Sequence, residues 1–301
     1  MIENSTFNLH IDHQSTLQPA IKGWEIYLKD QGRSPYTIRS FLGDLHLLAS
    51  FLPPDKTIAD ITTNDINRFL DWIKDGRGRN IPCSPKSFSR RITSIKSFFR
   101  WLHKHARIVT NPAESILQHS VISPLPEILS PIEEDMVLDA AQKIQSTGKP
   151  DLRPYLLLKL LLETGIKKSE CINIKLAHID IEQKEPFIFI RYSNIKDRNK
   201  ERKVRVSDEW VEALKRYINQ KPLDDALFPW SPRRLEYILE DIGKAANLNK
   251  HLSFSMCRWT CSLDDARNGL DADTIRQKMG ISKIQWREIK MKLDQLSTTR
   301  S

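Results

Sequence analysis

Apolar residues recur at helical spacing through most of the chain. Ile21, Trp24 and Leu28 open the series, and Gly32 ends it. Ser34-Pro35, a capping side chain followed by proline in the first turn, starts a second helix. Along it Ile38, Phe41, Leu45, Leu48 and Leu52 fall three or four residues apart, until Pro53-Pro54 stops the run. Thr62 and Asp65 form a capping-box pattern ahead of Ile66, Phe69, Leu70 and Ile73. A Gly- and Pro-rich stretch from Gly76 to Pro85 precedes a fourth helix, predicted over 86–105, and Asn111-Pro112 closes the bundle. Ser123-Pro124-Leu125-Pro126 reads as a stiff, extended connection.

The pattern then changes. Ser130-Pro131 starts a helix to about Ile144. Residues 152–163 are apolar almost all round, the mark of a buried helix, with Gly165 just past its end. Short β-rich stretches at 179–181, 187–192 and 203–206 predict a small antiparallel meander. Helical spacing returns over 208–219, 231–245, 253–268, 271–279 and 284–296. The expected organisation is mainly α and multi-domain. A flexible tail (1–16) precedes a helical bundle (17–118) and a linker (119–129). A mixed α/β domain with a small antiparallel sheet follows (130–301).

Composition narrows the class. The chain has 301 residues, 40% hydrophobic and 28% charged, which excludes a disordered or fibrous protein. The longest apolar run, 155–162, is interrupted by Lys159, far short of the roughly 20 residues a membrane helix needs. Residues 1–15 hold Glu3, His10, Asp12 and His13 and lack the apolar centre of a signal peptide. Four scattered cysteines make no disulfide framework, so a reducing cytoplasm is the expected compartment. The formal net charge of +9 points to a polyanionic partner once the charge is located.

Most of that charge gathers in one place. Between Gly76 and Ala113 there are nine Lys or Arg and no Asp or Glu. On the fourth helix Phe88, Ile92, Ile95, Phe99 and Leu102 form an apolar stripe. Lys86, Arg90, Thr93, Ser97, Arg100 and Lys104 lie about 200° away at 100° per residue. Lysines and arginines displace counterions from phosphates, and hydroxyls donate to phosphate oxygens. Solvated helix faces usually mix signs. A carboxylate-free face therefore favours duplex DNA as partner, with Arg39 of the second helix as a further contact.

The layout resembles the tyrosine recombinase family (phage integrase-like, Xer-like) over residues 17 to about 297. The resemblance rests on several words in order: Gly32-Arg33-Ser34-Pro35-Tyr36-Thr37-Ile38, Asn111-Pro112-Ala113, and Leu129-Ser130 with an acidic helix start. Glu163-Thr164-Gly165-Ile166-Lys167-Lys168-Ser169-Glu170, His178-Ile179-Asp180 and Asn199-Lys200-Glu201-Arg202 follow. It implies a SAM-like core-binding bundle and an integrase-like catalytic domain that clamp duplex DNA between them. Such a domain cuts a phosphodiester with a tyrosine hydroxyl, cations around the phosphate and a proton donor for the departing oxygen.

Measured against that family, the catalytic set is depleted. After Thr164-Gly165 the family carries an arginine; here Lys167 keeps the charge without the planar fork. The hairpin lysine position falls on Asp197, with Lys196 adjacent. In the family's His-x-x-Arg-His segment Ser255 and Trp259 occupy the histidine positions and Arg258 survives. Ile281 follows Met279-Gly280 where a His or Trp is expected. The nucleophile position holds Lys290, and no tyrosine follows Tyr237. Arg258, Lys167 and Lys196 are thus remnants of a catalytic set, and the expectation is a degenerate domain that binds DNA and does not cut it. A phenol beside Arg258 would overturn that expectation. Arg258 is read either as a phosphate contact or as a structural ion pair with Asp264 or Glu170. The alternative is an active recombinase with displaced or partner-supplied residues.

Three weaker features complete the reading. His251, Cys257 and Cys261 lack a fourth ligand, and buried thiols explain them better than a metal, so no cofactor is expected. Lys196, Arg198, Lys200, Arg202, Lys203 and Arg205 make a basic hairpin, either a finger near DNA or a solvated turn. The terminal helix with Trp286 and Ile289 packs either on its own domain or on a neighbouring subunit. An active recombinase is a second candidate partner, and a decaying mobile-element copy is a possible origin.

Overall fold

A computed structural model describes residues 11–118, 124–146, 149–220 and 223–298. The chain divides between Ser123 and Pro124 into two compact units.

The first unit is a bundle of four helices: α1 (Leu17–Asp30), α2 (Pro35–Phe51), α3 (Thr63–Lys74) and α4 (Pro85–Lys104). Three of the four start behind a side-chain cap. The Ser34 hydroxyl accepts the Thr37 N–H, and the Ser84 hydroxyl accepts that of Ser87. Thr62 and Asp65 close a reciprocal capping box. Trp24, almost wholly buried, stacks on Phe41 at 5.9 Å and meets the edge of Phe98 at 5.4 Å. Burying a side chain of that size contributes about 2–3 kcal/mol, so this aromatic set anchors α1, α2 and α4 together. Of the tail expected over 1–16, residues 1–10 lie outside the described residues. Residues 11–16 are not a free tail: Ile11 is buried, and the Ser15 carbonyl accepts the Ile58 N–H at 2.8 Å.

The second unit begins earlier than the expected linker allows. Ile128 and Leu129 are buried in it, and the Leu129 N–H donates to Thr260 Oγ1 at 2.9 Å. α5 (Pro131–Lys143) leads to a two-strand pair, β1 (Gln145–Ser146) and β2 (Lys149–Pro150), then to α6 (Leu152–Thr164). α6 carries leucines on every side because helices surround it: it packs against α5 and against α8 (Asp208–Gln220), α9 (Pro232–Ala245) and α10 (Phe254–Arg267). Between α6 and α8 lie the short α7 (Lys168–Ile172) and the meander β3 (Ile179–Asp180), β4 (Phe187–Ile190) and β5 (Arg202–Arg205), antiparallel in that order. α11 (Ala272–Lys278) and α12 (Lys283–Thr298) complete the unit.

The register of the meander decides which hairpin cation points inward. Ile188 pairs with Val204, and Ile190 pairs with Arg202. Side chains alternate along a strand, so Arg202 shares the buried face of Val204, while Lys203 turns out over the Phe187 ring at 4.0 Å. Within the unit, α12 lays its apolar side on α10 and α11 through Trp286, Ile289, Leu293 and Leu296. That packing uses the side on which the sequence reading left open a neighbouring subunit. Among the described residues no helix is long and apolar enough to cross a membrane.

Candidate functional site

α4 presents the stripe pattern read from its spacing. Ile92, Ile95, Phe99 and Leu102 are buried, joined by Phe98 and Ser94. On the opposite side Lys86, Thr93, Arg100 and Lys104 are exposed, as is Arg39 on α2. The face is not free of acid, as its own sequence suggested. Asp44 of α2, 3% exposed, reaches it from below and accepts Arg90 Nη1 at 2.6 Å and Ser94 Oγ at 2.9 Å. Arg91 Nε lies 3.5 Å from the same carboxylate. Burial raises the Asp44 pKa above the usual carboxylate range, and the Ser94 and arginine contacts only partly offset it. Arg90 is thus half spent inside the bundle. Thr93 is also engaged: its hydroxyl donates to the Ser89 carbonyl and accepts Gln118 Nε2 at 2.8 Å. Ser97 is half-buried. Asp44 has a signal in the sequence, since it sits on the apolar stripe of α2, three residues past Phe41 and four before Leu48.

The second cluster forms where α6 ends. Gly165 takes a left-handed turn (φ 58°), which L-residues with a side chain resist, and a Cβ there would press on Cys261 Sγ at 3.3 Å. The turn delivers Lys167 to the start of α7 and Glu170 one turn later. Glu170 is 3% exposed and is the hub. Its carboxylate accepts the Lys167 N–H at 2.8 Å, the Tyr192 hydroxyl, and the Arg202 guanidinium at 2.9 and 3.1 Å. Burial alone would raise its pKa; the Arg202 and Tyr192 hydrogen bonds outweigh that and hold it at about 2.

Three cations then converge on the last turn of α11. Arg202 Nε donates to the Lys278 carbonyl at 2.7 Å, Arg258 Nη2 to the Met279 carbonyl, and Lys167 Nζ to the Gly280 carbonyl at 2.9 Å. These are carbonyls that a helix end leaves without intrahelical partners. Arg258 Nη1 also donates to the Gly165 carbonyl, so the two helix ends are tied through one guanidinium. Gly280 (φ 59°) makes room: a Cβ there would stand 2.5 Å from Arg202 Nη1. Burial lowers the pKa of Lys167 and of Arg258, Glu170 opposing in both cases and the neighbouring cations adding to the drop. The ion pair considered for Arg258 with Asp264 or Glu170 is replaced by two backbone carbonyls.

The structure thus brings Lys167 and Arg258 together and adds Glu170, Tyr192 and Arg202. Arg202 was legible as an inward residue from the period of two with Val204 and Val206. Lys196 lies exposed on the 3-10 turn Ile195–Lys200, its N–H donating to Asn194 Oδ1. Lys290 is exposed on α12 and pairs with Asp294 at 2.9 Å. Trp259 and Ile281 do not face a reacting group; they pack with Leu263 and Leu293 and with Ile275 and Met279 respectively. Cys257 and Cys261 are buried, and burial pushes both thiols up to about 12, so neither is a thiolate at neutral pH. His251 is exposed.

A phenol does stand in the cluster, the feature set above against a non-cutting domain, but its hydroxyl is bonded to Glu170, while Arg258 is bonded to the Gly165 and Met279 carbonyls. Tyr192, at the end of β4, donates to Glu170, and burial and that carboxylate together raise its pKa. A hydroxyl so held is harder to ionise than a free phenol, whereas a nucleophile needs the opposite.

Comparison with known proteins places these parts. The tyrosine recombinase XerC of Oceanobacillus iheyensis is 26% identical over 277 residues, covering 86% of each chain. XerD of Listeria innocua is 23% identical over 278 residues, covering 86% of this chain and 89% of the relative. Among solved structures, a XerH recombinase in a post-cleavage complex with a palindromic difH substrate superposes with a TM-score of 0.70 at 17% identity, covering 93% of this chain and 83% of that one. Lambda integrase bound to DNA gives 0.67 at 15% identity, covering 89% and 95%. Residues 21–105 match the N-terminal SAM-like domain of phage integrases and residues 128–289 match the phage integrase family itself. With both halves matched in order, the chain belongs to the phage integrase family of tyrosine recombinases.

Proposed function

We propose that this protein binds duplex DNA through the α4 face and does not cut it. One observation carries the reading: no tyrosine follows Tyr237, and the position that motif spacing gives for the family's nucleophile is Lys290, a solvent-exposed ammonium paired with Asp294, which has no hydroxyl to offer. The closed hydrogen bonding of Arg202, Lys167 and Arg258 on backbone carbonyls supports it, because charge stabilisation of a cleavage step needs donors free to follow developing charge. DNA as partner is supported by the α4 face and by relatives solved on DNA. A protein of this kind occupies recombination sites, beside a cutting recombinase or as a remnant of a mobile element.

Tyr192 favours one rival reading, that of an enzyme with a displaced nucleophile. A carboxylate held at about pH 2 is a weak base for the Tyr192 proton, which speaks against it. A nicked suicide duplex decides between them. The expected result is a salt-sensitive mobility shift with no covalent adduct. An adduct lost in Tyr192→Phe establishes the rival; no mobility shift at low salt removes DNA binding altogether.

A further inference from the structure

Between α7 and the far end of β4 lies a hollow of about 490 Å³, which adjoins the Glu170 cluster through Tyr192, a residue common to both. Two segments build it. Asn173, Lys175 and His178 come from the turn joining α7 to β3; Arg191, Arg198 and Glu201 come from the connection between β4 and β5. The Arg191 guanidinium lies 4.7 Å from the centre of the Phe189 ring, which fixes its position without neutralising it. Acids nearby are committed elsewhere: Asp197 to Lys200 at 2.6 Å and Glu185 to Arg205 at 2.7 Å. Glu201 is the one carboxylate in the lining, and its Oε1 accepts the Tyr192 N–H at 2.9 Å. Lys175 pairs with Asp225 at 2.6 Å. His178 Nδ1 accepts the Lys175 N–H at 3.2 Å, which leaves Nε2 as the protonated, donating nitrogen of the neutral ring.

We propose that this hollow binds a phosphate group, gripped by the Arg191 and Arg198 guanidinium groups with His178 Nε2–H and Lys175 as further donors. Guanidinium forks match phosphate oxygens in pairs, and a half-enclosed position strengthens such bonds over those on open surface. The ring of His178 feels these cations: its pKa is lowered first by burial and then by Arg191 and Lys175, with Asp225 and Glu201 opposing. The phosphate can belong to a free nucleotide-like ligand or to a DNA backbone, and the chemistry of the grip is the same.

The test uses the full chain and follows each histidine ring by NMR while inorganic phosphate, pyrophosphate or a short duplex is added. Bound phosphate or pyrophosphate raises the His178 pKa and shifts its ring signals, while His46, His105 and His251 stay put. Arg191→Gln with Arg198→Gln weakens the response about a hundredfold, the loss of two charged hydrogen bonds, with an unchanged melting curve. A response to the small anions alone assigns a free phosphoryl ligand; a response to the duplex alone assigns the DNA backbone; either supports the site. Replacing Lys86, Arg100 and Lys104 on α4 leaves the small-anion response intact, which separates this site from the DNA-binding face. No movement of His178 with any of the three probes, or equal movement in the double variant, overturns the proposal.

Discussion

The α4 face and the cluster under α11 are both cationic, and they use their cations in opposite ways. On α4, Lys86, Arg100 and Lys104 stand out in solvent, while Arg90 and Arg91 turn in toward Asp44 and Lys96 donates to the Glu114 and Ile116 carbonyls. Under α11, Lys167, Arg202 and Arg258 all bond to the carbonyls of Lys278, Met279 and Gly280. The difference lies in what acceptors the fold leaves within reach. A helix end leaves several carbonyls without partners, and cations beside it are captured; in mid-helix, capture depends on what a neighbouring segment offers, as Ser40, Glu114 and Ile116 do for Arg90 and Lys96. Counting basic residues therefore says little about which of them remain free to meet a phosphate.

That contrast breaks hardest at Glu170. Glu170→Gln removes the one carboxylate beside three buried or half-buried cations, and the second unit should lose about 3–5 kcal/mol, read as a fall in its melting temperature. A small loss would mean that the backbone carbonyls suffice to hold the cluster. On α4, replacing Lys86, Arg100 and Lys104 with alanine should lower the salt dependence of DNA binding by about one in slope per residue, measured as log affinity against log salt, without loss of stability. The same change at Lys167 should alter the slope less, because its Nζ already serves Gly280.

Asp44 sharpens the comparison from inside. Asp44→Ala removes a charged acceptor from Ser94 and Arg90 and the countercharge beside Arg91, and should cost about 2 kcal/mol in denaturant unfolding. Its folded pKa is raised, so the folded unit binds this proton more readily than the unfolded chain, and stability falls as pH climbs through and above the carboxylate range. Asp44→Asn should flatten that slope. The same sign holds, over a wider window, for Glu134 in the second unit. Burial and the neighbouring Asp264 push it up to about 8, so stability declines from about pH 4.5 to about 8. Glu134→Gln should remove this decline in melts taken across that range.

Much of the fold was legible because helix starts and stripes are local. The capping pairs Thr62–Asp65 and Ser130–Glu133, the leucines of α6 and the alternation of β4 and β5 each follow from a few neighbouring residues. α7, of five residues, and the two-residue pair β1–β2 are too short to show a period. At the site, Lys167 and Arg258 were found from their motif words, yet their partners were not. Backbone carbonyls have no letter in a sequence, and only the fold brings residues 165 and 278–280 to them. Asp44 was missed for the opposite reason: its letter is plain, but it serves a helix some fifty positions away.

Trp259 and Ile281, which the motif spacing sets against proton-handling rings of the family, fill apolar seams beneath α12. Putting histidine back at either place would trade packed hydrocarbon for a polar ring with no partner waiting, so each single step toward chemistry begins with a loss of stability. Hydrocarbon packing under α12 therefore sets a toll on any single change toward chemistry at these two places.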